Sequence, residues 1–266
     1  MRNTSVSSSP LEPRTPPRAG RELRRALVDT WDHLGLACGV SLTFFTITTL
    51  PPASALATRH AGWAAAAALW IPLVGGPLWL GACHVAHRIC SRDEPHYGAL
   101  WTAAARHGGQ AAALALVQVA VSVILVADAL FFATREFAGS VVLAAMFGYA
   151  LFFWGMNCIY HWPLLVAAQT GVIARPDGGP PRLRSAMRNA FVIVLSAPGF
   201  TSVFLLTIMA VAVGFAATGV GLALLGAGLV SILCTTAARA QMVRFGALPE
   251  PPDLDGAPTD VGWRVS

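Results

Sequence analysis

Residues 199–235 read GFTSVFLLTIMAVAVGFAATGVGLALLGAGLVSILCT, 37 residues without a single charge. An α-helix rises about 1.5 Å per residue, so this run would be about 55 Å long as one helix. The hydrocarbon core of a bilayer is about 30 Å thick and needs only about 20 apolar residues to cross it. The run therefore holds two spans. Gly214, Gly219 and Gly221 offer a turn, and the sequence predicts two helices meeting near Thr218.

Working outward, four more apolar runs appear. Leu34–Leu50 is a short first span ended by Pro51-Pro52, and Trp63–Ala86 is a second, interrupted by Pro72, Gly75, Gly76 and Pro77. Gln110–Phe132 is an uninterrupted third. The fourth runs from near Ser140 to about Val172, with Pro163 as an expected kink. Composition points the same way. The chain is 55% hydrophobic and 12% charged, with a mean hydropathy of +0.61, whereas soluble domains carry about 25% charge. Lipid can face what water cannot. The expected fold class is all-α, an integral membrane bundle of about six transmembrane helices with short amphipathic interfacial helices.

The arginines set the orientation. There is no lysine, so the net charge of +5 comes from 18 arginines. With the N-terminus inside, 16 of them fall on the inner side and only Arg59 and Arg135 fall outside. The positive-inside rule requires such an asymmetry. A five-span chain would carry Arg239, Arg244 and Arg264 outward. Six spans with both termini cytoplasmic is the expectation, in a transmembrane domain of residues 21–246. Residues 1–20, rich in Ser, Pro and Arg, lack the apolar core of a signal peptide and read as a disordered cytoplasmic arm. Residues 247–266 read as a disordered tail.

Three polar joints have helical amphipathicity. Leu23, Leu27, Trp31 and Leu34 share a stripe, with Arg21, Arg24, Arg25 and Asp32 at other positions. Leu183, Met187, Ala190 and Val194 repeat this against Arg182, Arg184 and Arg188, and Tyr97–His107 is a weaker third case. Such segments lie at headgroup level. The arginines border apolar runs rather than forming one basic face, so the expected partner is the lipid bilayer and not nucleic acid.

No catalytic motif is present: no GxSxG, HExxH or GxxxxGK[ST] occurs. An enzyme is not expected, nor a resident cofactor. Cys38, Cys83, Cys90, Cys158 and Cys234 are odd in number and without a CxxC pair, so they read as free apolar thiols. The cluster Cys83-His84-Val85-Ala86-His87-Arg88-Ile89-Cys90 places Cys83, His87 and Cys90 on one stripe. Cys158 and His161 could complete a metal shell, or His84, His87 or His161 could ligate haem. Against both, no intramembrane carboxylate stands where it would orient the histidines. Asp128 is the only carboxylate inside an expected span, which makes it a functional candidate by default; the alternative is a packing contact with Asn157, Gln118 or a backbone group. Trp154, Asn157, Tyr160, His161 and Trp162 place aromatics beside polar groups in the fourth span. Asp128, Asn157, His161 and Trp154 are the expected substrate path, against an ordinary interfacial enrichment of Trp and Tyr.

In Gly76–His107, GPLWLGACHVAHRICSRDEPHYGALWTAAARH, a Gly-Pro opens a helix of small residues. A basic end, an acidic-Pro joint and an amphipathic piece follow. In Leu183–Pro198, LRSAMRNAFVIVLSAP, an amphipathic helix meets a proline before a span, and Trp31…Leu50-Pro51 fits too. Over roughly residues 20–245 this order resembles the YesL-like family of small bacterial membrane proteins; the extra apolar piece Trp63–Gly75 departs from it. The resemblance implies a helical bundle in the bacterial inner membrane. It also implies an association with carbohydrate ABC transporter components, with no catalytic residues to carry over. The expected function is a non-enzymatic accessory to solute uptake. The alternatives are a stand-alone transporter or channel using polar groups of the third and fourth spans, and a haem protein.

Overall fold

The computed structural model describes residues 16–57, 61–172, 183–218 and 221–249, and no strand occurs among them. The chain is an integral membrane bundle. Among the described residues, six helical segments are long and apolar enough to span: Leu34–Ser54, Ala66–Ser91, Gly98–Ala133, Ser140–Gln169, Pro198–Thr218 and Ala223–Arg244. The helices are α1 (Ala19–Asp32), α2 (Leu34–Ala57), α3 (Ala61–Trp70), α4 (Gly76–Ser91), α5 (Gly98–Ala133), α6 (Ser140–Gln169), α7 (Leu183–Ser196), α8 (Pro198–Thr218) and α9 (Ala227–Arg244). A π-helical turn, Ile71–Gly75, joins α3 to α4, and another, Leu222–Gly226, precedes α9.

Three hairpins follow one another, each opened by an amphipathic stretch. In each, one helix leaves the basic end (α2, α5, α8) and one returns to it (α4, α6, α9). The three returning helices touch one another and hold the core. Every outgoing helix packs between its own returning segment and that of a neighbouring hairpin: α5 between α6 and α4, α8 between α9 and α6, and α2 between α3 with its π turn and α9. The arrangement is cyclic. Its centre is marked by Cys234, which lies within electrostatic reach of Cys83 and Cys158, one cysteine from each returning helix. Cys83 stands eight residues after Gly75, and Cys234 stands eight after Gly226. Arg88 and Arg239 likewise stand thirteen residues after the same glycines.

Two glycines set how closely the layers approach. A Cβ on Gly81 would overlap the Leu100 carbonyl of α5, and one on Gly228 would overlap the Ala37 carbonyl of α2. Backbone contact of this kind is what small residues permit in membrane bundles, where no hydrophobic force drives helices together. Gly228 also donates its N–H to Ser41 Oγ at 2.8 Å.

The helices depart from the expected bounds at three places. Pro51 and Pro52 lie inside α2 instead of ending it. Proline at position 51 removes the N–H that would bond to the Ile47 carbonyl. The Trp70 indole donates to that carbonyl instead, at 2.9 Å. The second span is not broken at Pro72 and Gly75. It continues through the π turn, a common accommodation where the regular ladder is interrupted. Finally, Tyr97–His107 is not a separate interfacial helix: from Gly98 it is continuous with the third span as α5, 36 residues and about 54 Å long. The division near Thr218 falls where α8 ends. Helix α1 already begins at Ala19, while residues 1–15 of the expected arm and 250–266 of the expected tail lie outside the described residues. The same holds for Arg59, Arg175 and Arg182.

Candidate functional site

Helix α5 holds the most apolar stretch of any span, yet it carries Gln110, Gln118 and Ser122 along one side. Positions 110, 114, 118 and 122 are four residues apart and drift by only about 40° per step, so they form one stripe facing α6. On α6, Trp154, His161, Trp162 and Gln169 form the answering stripe. The two meet in a polar seam.

The upper part of the seam is built around Gln118. The Trp162 indole donates to Gln118 Oε1 at 2.9 Å, and Gln118 Nε2 lies 3.1 Å from His161 Nδ1. An indole N–H can only donate, so the Gln118 oxygen must face Trp162 and its NH2 must face His161. His161 therefore accepts at Nδ1 and carries its proton on Nε2. Only 1% of His161 is exposed. Its ring meets the edge of Trp154 at 5.4 Å between centroids, and Trp154 Nε1 donates to Ser122 Oγ at 3.1 Å.

The lower part lies toward the basic end. His84 Nε2 of α4 lies 3.0 Å from Gln169 Oε1, Gln169 Nε2 donates to Gln110 Oε1 at 3.2 Å, and the His84 ring stacks parallel to His107 at 6.2 Å. From His107 to Ser122 the seam covers about 22 Å of α5, most of a bilayer's apolar thickness. Leu114 and Leu165, both fully enclosed, occupy the helix turns between the two parts.

The expected path residues are only partly brought together. His161 and Trp154 are in the seam. Asn157 is buried, but its Nδ2 donates at 2.9 Å to the Phe153 carbonyl of its own helix. Asp128 is half-buried near the far end of α5, and no hydrogen bond links it to Gln118 or Asn157. It stands eighteen residues, five full turns, beyond Gln110 and so shares that residue's side of the helix, but it lies about 9 Å past Ser122, beyond the last bond of the seam. The histidines expected to share a metal or haem are separated: His84 bonds to Gln169, His161 bonds to Gln118, and His87 belongs to neither bond. Among the described residues, no group of three or more His, Cys, Asp or Glu could hold a metal ion. Gln110, Gln169, Ser122 and His107 were not singled out by the sequence. Their signal is weak but present: polar side chains at four- and eight-residue intervals in a run otherwise apolar.

A second polar cluster lies beneath α1. This helix turns Glu22, Arg25 and Thr30 inward and docks on α9. There Arg239 Nη1 donates to Ser91 Oγ at 2.8 Å, and Arg25, Asp29 and Asp93 lie within its electrostatic reach. Burial raises the Asp29 carboxyl above its ordinary range, against the opposing pull of Arg25, Arg92 and His33. Asp29 Oδ2, Arg239 Nε, Thr235 Oγ1 and both amide atoms of Gln241 are enclosed without a hydrogen-bond partner among the described residues. No family model matches the chain, and neither a curated protein nor a solved structure matches it.

Proposed function

We propose that the protein is a non-enzymatic component of solute movement across a bacterial cytoplasmic membrane, accessory to an uptake system. The observation that carries this reading is Gln118, held between His161 and Trp162 inside an apolar bundle. Polar groups at that depth are costly and mark paths for solutes or protons. The bond pattern couples two events. A second proton on His161 Nδ1 displaces the Gln118 NH2, and turning that amide breaks its bond to Trp162. The resemblance to the YesL-like family supports carbohydrate as the solute and ABC transporter components as partners. The arginine distribution supports cytoplasmic termini.

Two measurements test it. Affinity purification from a native membrane is expected to recover permease components. Proteoliposomes holding them are expected to lose at least half of the sugar flux when His161→Gln replaces the native chain. Recovery of no transport component, together with flux indifferent to His161→Gln, overturns the reading. A stand-alone transporter is the second reading, favoured by the length of the seam. It requires flux from the purified chain alone, and Asp128→Asn is expected to leave that flux unchanged.

A further inference from the structure

The inward face of α1 is polar, and its outward face is not uniform along its length. Going from Arg18 toward α2, the exposed side chains are first Arg18, Arg21 and Arg24, then Leu27, Val28 and Trp31, with Asp32 exposed at the end beside α2. Helical spacing puts Arg21, Arg24, Leu27, Val28 and Trp31 within about 120° of one another, so the basic and apolar groups share one face in sequence along the axis. Trp31 is 75% exposed, and only His33 separates α1 from the membrane-spanning α2, whose first residue Leu34 is exposed as well.

We propose that this outward face is a docking surface for anionic phospholipid headgroups. The apolar half continues the lipid-facing surface of α2, and an indole so exposed is at home where hydrocarbon gives way to headgroups. The basic half lies one to two helical turns farther from α2 along the helix, which lets it meet the phosphates. The guanidiniums of Arg21 and Arg24 on this face, with Arg18 exposed at the helix start, complement an anionic leaflet, each interacting favourably within a Debye length of it. Arg21 pairs with Glu22 at 3.4 Å on the flank of the face, which aims it along that flank. The charged inner face leaves α1 little to hold it but its few buried neighbours and this lipid. Membrane composition thus sets how firmly α1, with Asp29, covers Arg239.

The test uses the full-length chain in nanodiscs of phosphatidylcholine, with and without phosphatidylglycerol, read by amide hydrogen exchange over residues 19–32. Phosphatidylglycerol is expected to slow this exchange by about fivefold or more. Arg18→Gln/Arg21→Gln/Arg24→Gln is expected to abolish the lipid effect while exchange in α4 and α9 stays native. Trp31→Ala is expected to speed exchange in both lipids. Equal exchange of the native chain in the two nanodiscs overturns the proposal. So does slowing by inorganic phosphate in phosphatidylcholine discs, which would assign the arginines to a soluble anion. Retention of the lipid effect by Arg24→Gln and by the triple variant overturns it as well.

Discussion

Helices α1 and α7 have the same length and the same place in their hairpins, and both are amphipathic, yet α1 buries charged groups where α7 buries only small and apolar ones. Helix α7 turns Ala186, Ala190, Ile193 and Val194 inward against α6 and leaves Arg184 and Arg188, then Phe191, Val192 and Leu195, outside. Helix α1 turns Glu22, Arg25 and Thr30 inward and leaves Leu27, Val28 and Trp31 outside. A water-soluble bundle forbids the second arrangement, because its outer face meets water. In a membrane the outer face meets lipid, so burying the charged face costs nothing in exposed apolar area if the charges find partners. Asp29 offsets both Arg25 and Arg239, and Asp93 offsets Arg239 as well, where the returning helices end.

The difference gives ordered predictions. The largest effect is expected for Gly228→Ala: its Cβ overlaps the Ala37 carbonyl, so α2 and the attached α1 must move off α9. The loss is about 3 kcal/mol of stability in detergent titration, with exchange in α7 unchanged. Arg25→Ala is expected to cost about 2 kcal/mol at neutral pH, because it leaves a buried carboxylate with less compensation. The cost shrinks as Asp29 takes up a proton. Asp29→Asn is smaller and carries the pH signature. The folded-state value is raised, so the native form binds more protons than the unfolded chain above the ordinary carboxylate range. Docking of α1 therefore strengthens as pH falls through that raised value and weakens as pH rises through it. The Asn variant should lose this slope, seen as pH-independent exchange over residues 19–32. The smallest effect is expected for Arg188→Ala on exposed α7, within about 0.5 kcal/mol by the same titration.

The spans were legible because hydropathy and length fix them: the run 199–235 divides where α8 ends, and no charge argues otherwise. The docking of α1 was not. Its stripe of Leu23, Leu27, Trp31 and Leu34 is plain in the sequence, but periodicity gives two faces without saying which one lipid takes. The candidate path was half legible. His161 and Trp154 stand out as rare groups in an apolar run, whereas Gln118 entered only as a neighbour for Asp128. Its role depends on the rotation of α5 against α6, which is a property of packing. Pro51 misled for a related reason. A proline predicts the loss of one bond, and only the tertiary structure supplies the Trp70 indole that replaces it.

The π turn at Ile71–Gly75 is a stored insertion. It holds one residue more than an α turn needs, so removing Val74 would let the helix close without losing a bond. Yet everything before that point would swing by about 100° relative to α4. Trp70 would then point away from Ile47, and the orphaned carbonyl of α2 would be left facing lipid. The extra residue thus works as a phase shifter between two interlocked helices, and its deletion should be felt in α2 before it is felt in α4.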